Sequence, residues 1–472
     1  MLLQPPSQNI ILLGPPCLLQ TRLTSPRKTL HCMNPTTTHS SRLPPTAGEF
    51  LDVSFSQDLL ASVSRDFEQF GDAYRAYSPI TGRDIYVLSH PEHARHVLVS
   101  HQTNFTKGLG IERVEILLGN GLMVSEGDLW RTQRRMIQPA FHRSAISRML
   151  GDMREANLQL LHKWFECAEK KEDINLTQDM SEVTLQIVLR ALFSADLERM
   201  TAKHGTNPFG LLTDDTERNL SFAYRFRSLS KMILEQVQLR RSNPGERTDL
   251  IAMLMKSRDR KSGEPMSDKQ LLDEVMTLIV AGHETTASAL NWMWYLISQH
   301  PLVAARLHAE VDAVSAGELT LEDLSKLPYT KQVIEETLRL YPPGWLLTRR
   351  SIERDSIGDF EIPAGTDIFI SPYLIHRHPK FWSAPDRFDP DRFAAPEKAS
   401  RHRFAYLPFA LGPRACIGEQ FALAEMIVHT AMLAKHVKLV HLPLEAPELE
   451  CQVNLRSRYP IMMKPEMRAT LR

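Results

Sequence analysis

Beyond residue 125 the apolar positions recur every three to four residues, in runs long enough for amphipathic or buried helices. The pattern predicts helices over 126–137, 144–170, 174–193, 217–240, 302–314, 324–340 and 418–435. The longest is "SDKQLLDEVMTLIVAGHETTASALNWMWYLISQH", 267–300, opened by Ser267 with Asp268 and closed before Pro301. At about 1.5 Å per residue such a helix can cross a whole domain. Alternation of apolar and polar residues is rarer. It marks strands in "GRDIYVLS" (82–89) and "DFEIPAGTDIFIS" (359–371), the second bent into a hairpin at Pro363 to Gly365. The expected class is mainly α with a small β region, without internal repeats and without a second domain after the last helix.

Composition narrows the function. The chain has 472 residues, 43% of them hydrophobic, ample for one large core. Lys plus Arg (56) equals Asp plus Glu (56), which argues against a nucleic-acid binder. The longest apolar runs, "IILLG" and "VMTLIVAG", fall short of the roughly 18 residues of a membrane span, so no transmembrane anchor is expected. Five cysteines, Cys17, Cys32, Cys167, Cys416 and Cys451, show no CxxC pairing, hence no disulfide framework or zinc ribbon, and a reducing, cytoplasmic setting. Residues 1–47 are rich in Pro, Ser and Thr and free of Asp and Glu. They read as a disordered leader, an organelle-targeting segment, or an over-extended start with Met33 as initiator. A single catalytic domain is expected over 48–472.

Chemistry concentrates around one cysteine, in "LPFALGPRACIGEQFALAE" (407–425). A thiolate is a strong metal ligand whose pKa falls beside cations and at helix N-termini, and Cys416 has Arg414 before it and a predicted helix after it. Gly412 and Gly418 allow close backbone approach, and backbone amides there can donate hydrogen bonds to the sulfur. The site suits one thiolate and a large flat ligand. "FALGPRACIG" resembles the F-x-x-G-x-R-x-C-x-G heme-binding signature of the cytochromes P-450, with Phe409, Gly412, Arg414, Cys416 and Gly418 on its positions. Ala410 stands where that family often has a second glycine.

Three further segments carry the same resemblance. "AGHETT" (281–286) is similar to the family's oxygen-activation motif. Gly282 costs a helix about 1 kcal/mol relative to alanine and calls for a reason, and the Thr285 hydroxyl can bond back to the carbonyl four residues earlier. The resemblance implies that Ala281 and Gly282 border the cofactor, while Thr285 and Glu284 support oxygen binding and proton delivery. His283 and Glu284 do not open a zinc motif, because position 287 is Ala. In "LSKLPYTKQVIEETLRLYPP", Glu336 and Arg339 share a helix face and can pair. The resemblance makes them a buried structural triad with an arginine of "PDRFDPDRF". That segment offers Arg387 and Arg392, and the spacing from Trp382 selects Arg392. In "WRTQRR", Trp130 and Arg134 resemble the W-x-x-x-R that holds one heme propionate; Arg350 fits the position for the other, with Arg349 beside it and Arg414 as a further donor.

The resemblance therefore implies a cytochrome P-450 fold, a long central helix over heme b with Cys416 as axial ligand. It implies a monooxygenase that inserts one atom of dioxygen into a lipophilic molecule by C–H hydroxylation or epoxidation. Pocket positions would include Ala281, Thr285, Leu346 and Leu347 of "GWLLT", the loop 108–122, and the turn at Leu455 and Arg456. Their apolar character leaves terpenoids, fatty acids and polyketide-like molecules open as substrates. Between "FSADL" and "RRSNPGERTD" the chain is shorter than the family's usual roof of two helices and a loop. No flavin or iron–sulfur module follows Cys416, so electrons are expected from a separate ferredoxin or flavodoxin with its reductase. Arg131, Arg135, Lys435 and Lys438 are candidates to meet an acidic partner.

Overall fold

The computed structural model describes residues 42–47, 59–79, 81–204, 208–214, 220–314, 319–442 and 446–468. Most of the expected leader, residues 1–41, lies outside the described residues. Its last residues belong to the folded body: Arg42 bridges to Phe360, Thr46 bridges to Arg75, and Ala47 is buried. The folded part thus includes Arg42, ahead of the expected boundary at 47.

The helical reading holds with shifted ends. The site is framed by α1 (Gly127–Ile137), α2 (Arg143–Lys170), α3 (Leu176–Phe193), α4 (Leu220–Ser242), α5 (Asp268–Gln299), α6 (Pro301–Ala313), α7 (Pro328–Leu340) and α8 (Glu419–His436). Positions 217–219 of the expected fourth helix are outside the described residues. The expected helix over 324–340 is two pieces, because Pro328 at the first turn of α7 disfavours helical backbone at Leu327, which takes φ −113° and ψ 56°. A short helix, Leu321–Leu324, precedes it. Before α4 the roof segment holds a helix over Asp196–His204.

Helix α5 starts with a full capping box, Ser267 and Gln270 each satisfying the other's backbone N–H. Apolar residues lie all round it, so it is buried rather than amphipathic, and it packs along α3, α4 and α7. Near its C-terminal end Trp294 stands edge-on to Trp164 of α2 at 5.9 Å and donates its indole N–H to His429 of α8 at 2.9 Å. This tie welds α2, α5 and α8 into one core.

Five strands form one sheet: β1 (Ala73–Ser78), β2 (Arg83–Leu88), β3 (Phe105–Lys107), β4 (Leu347–Ser351) and β5 (Asp367–Ile370), in the order β1-β2-β5-β4-β3. The hairpin expected over 359–371 does not form. Its first arm, Phe360–Ile362, pairs with Asp355–Ile357, whereas β5 runs parallel to β2 and antiparallel to β4. All four residues of β5 are buried, and a strand covered on both faces belongs inside a sheet rather than in a two-stranded ribbon.

Candidate active site

The segment 407–418 is a loop shaped by its neighbours before it becomes α8. The Leu407 N–H donates to His376 Nε2 at 2.9 Å, and the Cys416 N–H closes the loop on the Phe409 carbonyl at 2.8 Å. Gly412 has φ +73°, and a Cβ there would lie 2.0 Å from the Leu98 carbonyl oxygen, so only glycine fits. Ala410 takes φ 59°, the left-handed conformation a glycine would adopt without strain.

Cys416 is enclosed by protein on most sides yet keeps accessible surface, the mark of a side chain on the wall of an internal hollow. Burial pushes its thiol up, outweighing the Gly418 and Glu419 backbone N–H groups and the Arg134 guanidinium that pull it down. The lowered thiol expected from the sequence is therefore not found. Nor does Arg414 supply the nearby cation. It pairs with Glu126, donates to the Ser125 carbonyl at 3.3 Å and lies 4.3 Å over the Trp130 ring. Arg134, one turn along α1 from Trp130, donates to the Ala415 carbonyl at 2.8 Å, and its buried Nε has no hydrogen-bond partner among the described residues. The amides expected at the sulfur are present, because Gly418 opens α8 and leaves its first N–H groups without intrahelical acceptors.

On β4 the two adjacent arginines face opposite ways. Arg350 is closed by a double hydrogen bond to buried Asp367, at 2.8 and 3.0 Å, which contradicts its assignment to an anion-holding position. Arg349 is enclosed by protein while keeping accessible surface, as Cys416 is, and burial followed by Arg414 drives its guanidinium down to about 10. Among the described residues no carboxylate lies within ion-pair distance of it. A buried guanidinium without a counter-charge is costly, and a carboxylate-bearing ligand would relieve it. Arg349 lies near Arg414, which in turn covers Trp130.

Along α5, Leu278, Ala281 and Thr285 recur at i, i+3 and i+7 and are half-buried in a helix that is otherwise largely buried, so this face has room in front of it. Thr285 Oγ1 donates to the Ala281 carbonyl at 2.7 Å, the back-bond expected, while the helix runs unbroken through 281–286. Glu284 accepts from Asn454 Nδ2 at 3.1 Å. A Cβ on Gly282 would meet Val188 of α3 at 3.0 Å, so this glycine serves helix packing. Leu346 packs with Trp345 and Leu455, and Leu347 packs in a separate cluster with Ile368 and Ile370; both are half-buried. Arg456 is paired with Glu450 at 2.6 Å.

The triad assembles as expected. Arg339 forks onto Glu336 at 2.6 and 2.9 Å, both fully buried, and Arg392 Nε lies 3.4 Å from Glu336. Arg339 also donates to the carbonyls of His376, Pro385 and Arg387, so Arg387 contributes its backbone while its side chain is exposed. Several residues were not legible in the sequence. Lys107 Nζ donates to the Leu122, Met123 and Ser125 carbonyls. Asp273 accepts the Asn120 N–H at 3.1 Å and Glu274 the Leu122 N–H at 2.9 Å, pinning the loop expected over the pocket to α5. The approach is close enough that a Cβ on Gly119 would meet Asp273 and one on Gly121 would meet Thr277, a contact between distant segments that the sequence does not signal.

A family model for cytochrome P450 matches residues 40–455. The chain belongs to the cytochrome P450 family. Cyclooctatin synthase of Streptomyces melanosporofaciens is 35% identical over 82% of this chain and 87% of its own. LUTEIN DEFICIENT 5, a chloroplastic protein of Arabidopsis thaliana, is 32% identical over 78% and 67%. The fold matches a retinoic-acid-bound cyanobacterial CYP120A1 at TM-score 0.78 and 24% identity, over 91% of this chain and 100% of that one. It likewise matches the heme domain of cytochrome P450DA at TM-score 0.78 and 23% identity, over 91% and 98%. As a P450 the protein is a heme-thiolate monooxygenase, with heme iron on a cysteine thiolate and dioxygen as co-substrate. The donor set fits that group: a thiol on a hollow with two amides at its sulfur, and near Arg414 an enclosed Arg349 that donates to the Thr348 carbonyl and has no ion-pair partner among the described residues, which suits a carboxylate-bearing ligand. No helix among the described residues is long and apolar enough to cross a membrane.

Proposed function

We propose that Cys416 is the axial ligand of heme b in this P450, and that the enzyme hydroxylates or epoxidises a terpenoid-type substrate. The observation that carries the ligand assignment is the Cys416 sulfur itself, opening on a hollow with the Gly418 and Glu419 N–H groups turned to it. Bound heme supplies the oxygen-activating redox chemistry, which the thiolate favours by donating electron density. The chain supplies the rest. Trp130, Arg134, Arg349 and Arg414 hold the propionates, with Phe409, Gly412 and Gly418 shaping the cysteine loop and Ala281 bordering the cofactor. Thr285, with its proton committed to the Ala281 carbonyl, keeps its oxygen lone pairs to accept from a water. Glu284, held by Asn454, is the proton source behind it. Glu336, Arg339 and Arg392 form the structural triad.

The substrate class rests on relatives named for cyclooctat-9-en-7-ol (32% identical) and pentalenene (30% identical), both isoprenoid, and on the apolar Leu346 and Leu347 proposed to line the pocket. Electrons come from a separate ferredoxin or flavodoxin with its reductase, docking on a face that includes exposed Arg131 and Arg135. Lys435 is less available, since its amine donates to the Val314 carbonyl. We place the enzyme in the cytoplasm.

The reduced carbon monoxide complex tests the ligand: a strongly red-shifted Soret band is expected, lost in Cys416→Ser, and a histidine-type band in the wild type would refute the assignment. Thr285→Ala should keep the band and uncouple reductant use from product. Full coupling in that variant would remove Thr285 from the mechanism. Displacement of the iron's water ligand across a panel of isoprenoids, fatty acids and polyketides tests the substrate class.

A further inference from the structure

Away from the hollow, the chain between His96 and Ser100 forms a π-helical turn, closed by the His101 N–H on the His96 carbonyl at 2.9 Å. Such turns are rare and are found disproportionately at functional sites. This one has a specific effect. At 3.6 residues per turn, side chains five apart diverge by about 140°, whereas the wider π turn brings them closer to the same face. His96 and His101 are consequently stacked, with ring centroids 3.8 Å apart and planes 21° from parallel. Asp355 reaches across from the neighbouring ribbon, its Oδ2 3.0 Å from His96 Nε2. Asn104 Nδ2 at 3.5 Å and the Ser356 N–H at 2.7 Å fix the carboxylate.

We propose that His96, His101 and Asp355 form a binding site for a borderline divalent transition ion, zinc or copper in class. One donor atom from each residue falls within 4.8 Å of the others. Tetrahedral ligands on bonds of 2.0–2.1 Å stand about 3.4 Å apart, within reach of these donors, but each imidazole holds an ion in its own ring plane, so one ring has to leave the stack. His101 is that ring: it is exposed and free to turn its nitrogen toward the ion, while half-buried His96 and Asp355 are already placed. Two imidazoles and one carboxylate select zinc, copper or nickel over magnesium or calcium, and leave a coordination position for water. Phe105 walls the inner side, its ring edge-on to His96 at 6.4 Å. The ion would join the π turn to the strand Asp355–Ile357, and the same turn presents the Leu98 carbonyl to Gly412 of the cysteine loop. An ion held here would therefore stiffen the loop that carries Cys416 from outside the heme hollow.

The test is calorimetric titration of tag-free, chelator-washed holoenzyme with zinc, and with magnesium as control, in the wild type and in His101→Ala and Asp355→Asn. The wild type should take up zinc and not magnesium, and each variant should bind zinc at least about tenfold more weakly. Thermal unfolding read by loss of the Soret band should move up with zinc in the wild type and not in His101→Ala. His101 is exposed and its ring stacks on His96, so its loss removes one surface stack, and a Soret spectrum unchanged from wild type shows that the variant is folded. Equal zinc affinity in all three proteins, or no zinc binding in the wild type, would overturn the proposal and leave His96 and Asp355 as an ordinary structural pair.

Discussion

Arg349 and Arg350 are consecutive on one strand, and only one of them is answered: Arg350 forks onto Asp367, while Arg349 lies enclosed near Arg414 with no ion-pair partner among the described residues. Heme retention should separate them. Arg349→Gln takes away the charge proposed to hold a propionate and should speed heme loss roughly 10- to 100-fold. Arg350→Gln should leave heme loss unchanged and lower the unfolding temperature instead, because it strands Asp367. Transfer of heme to apomyoglobin measures the first effect and thermal unfolding the second.

Ala410 at φ 59° makes the reverse kind of prediction. A non-glycine residue in that region costs about 1–2 kcal/mol, so Ala410→Gly should stabilise the holoenzyme by about 1 kcal/mol with its spectrum intact. Two residues on, Gly412→Ala should do the opposite and yield protein with little heme, since its Cβ has no space against Leu98. Denaturation midpoints and heme-to-protein ratios are the readouts.

The buried fork between Arg339 and Glu336 predicts an asymmetric loss. Removing one partner leaves the other charged and unpaired with no exposure, at a cost of about 3–5 kcal/mol. Glu336→Ala should therefore fail to accumulate as holoenzyme at temperatures the wild type tolerates. Arg387→Ala should be nearly silent, as the fork uses its backbone carbonyl and its side chain makes only an exposed pair with Asp389.

Glu274 gives a pH dependence. Burial, with Asp273 adding to it and the Leu122 N–H and Lys107 opposing, raises its carboxyl from the ordinary 4.5 to about 7. The folded state then holds a proton that the unfolded state has released, so stability falls as pH rises through this window. Glu274→Gln removes that loss. Its stability relative to wild type should climb between about pH 4.5 and 7 and then level off, by on the order of 3 kcal/mol. Urea midpoints on either side of the window would show it, and a constant difference would mean that Glu274 does not titrate there.

Legibility in the sequence followed the range of the interaction. Helix α5 and its Ser267 cap could be read because periodicity and capping are local, and Glu336 with Arg339 because three residues on a helix fix a shared face. The cysteine loop was legible through fixed spacings. What failed depended on distant partners. Which of two adjacent arginines faces the hollow is a question of strand parity, set by the pairing of β4 with β3 and β5. The lost hairpin has the same cause, since β5 finds better cover beside β2 than beside its sequence neighbour. The raised Cys416 thiol reflects burial, which no count of nearby charges in the sequence reveals.

Leu407, which opens the cysteine loop, is hydrogen-bonded to His376, and His376 Nδ1–H is bonded in turn to the Arg339 carbonyl at 3.1 Å. Arg339 itself gathers Glu336 and the carbonyls of Pro385 and Arg387. The loop is thus tied through two hydrogen bonds to stretches of chain distant from it in sequence. The seat for the iron is therefore a property of the assembled fold: residues far apart in the chain have to be in place together for the cysteine loop to hold its shape.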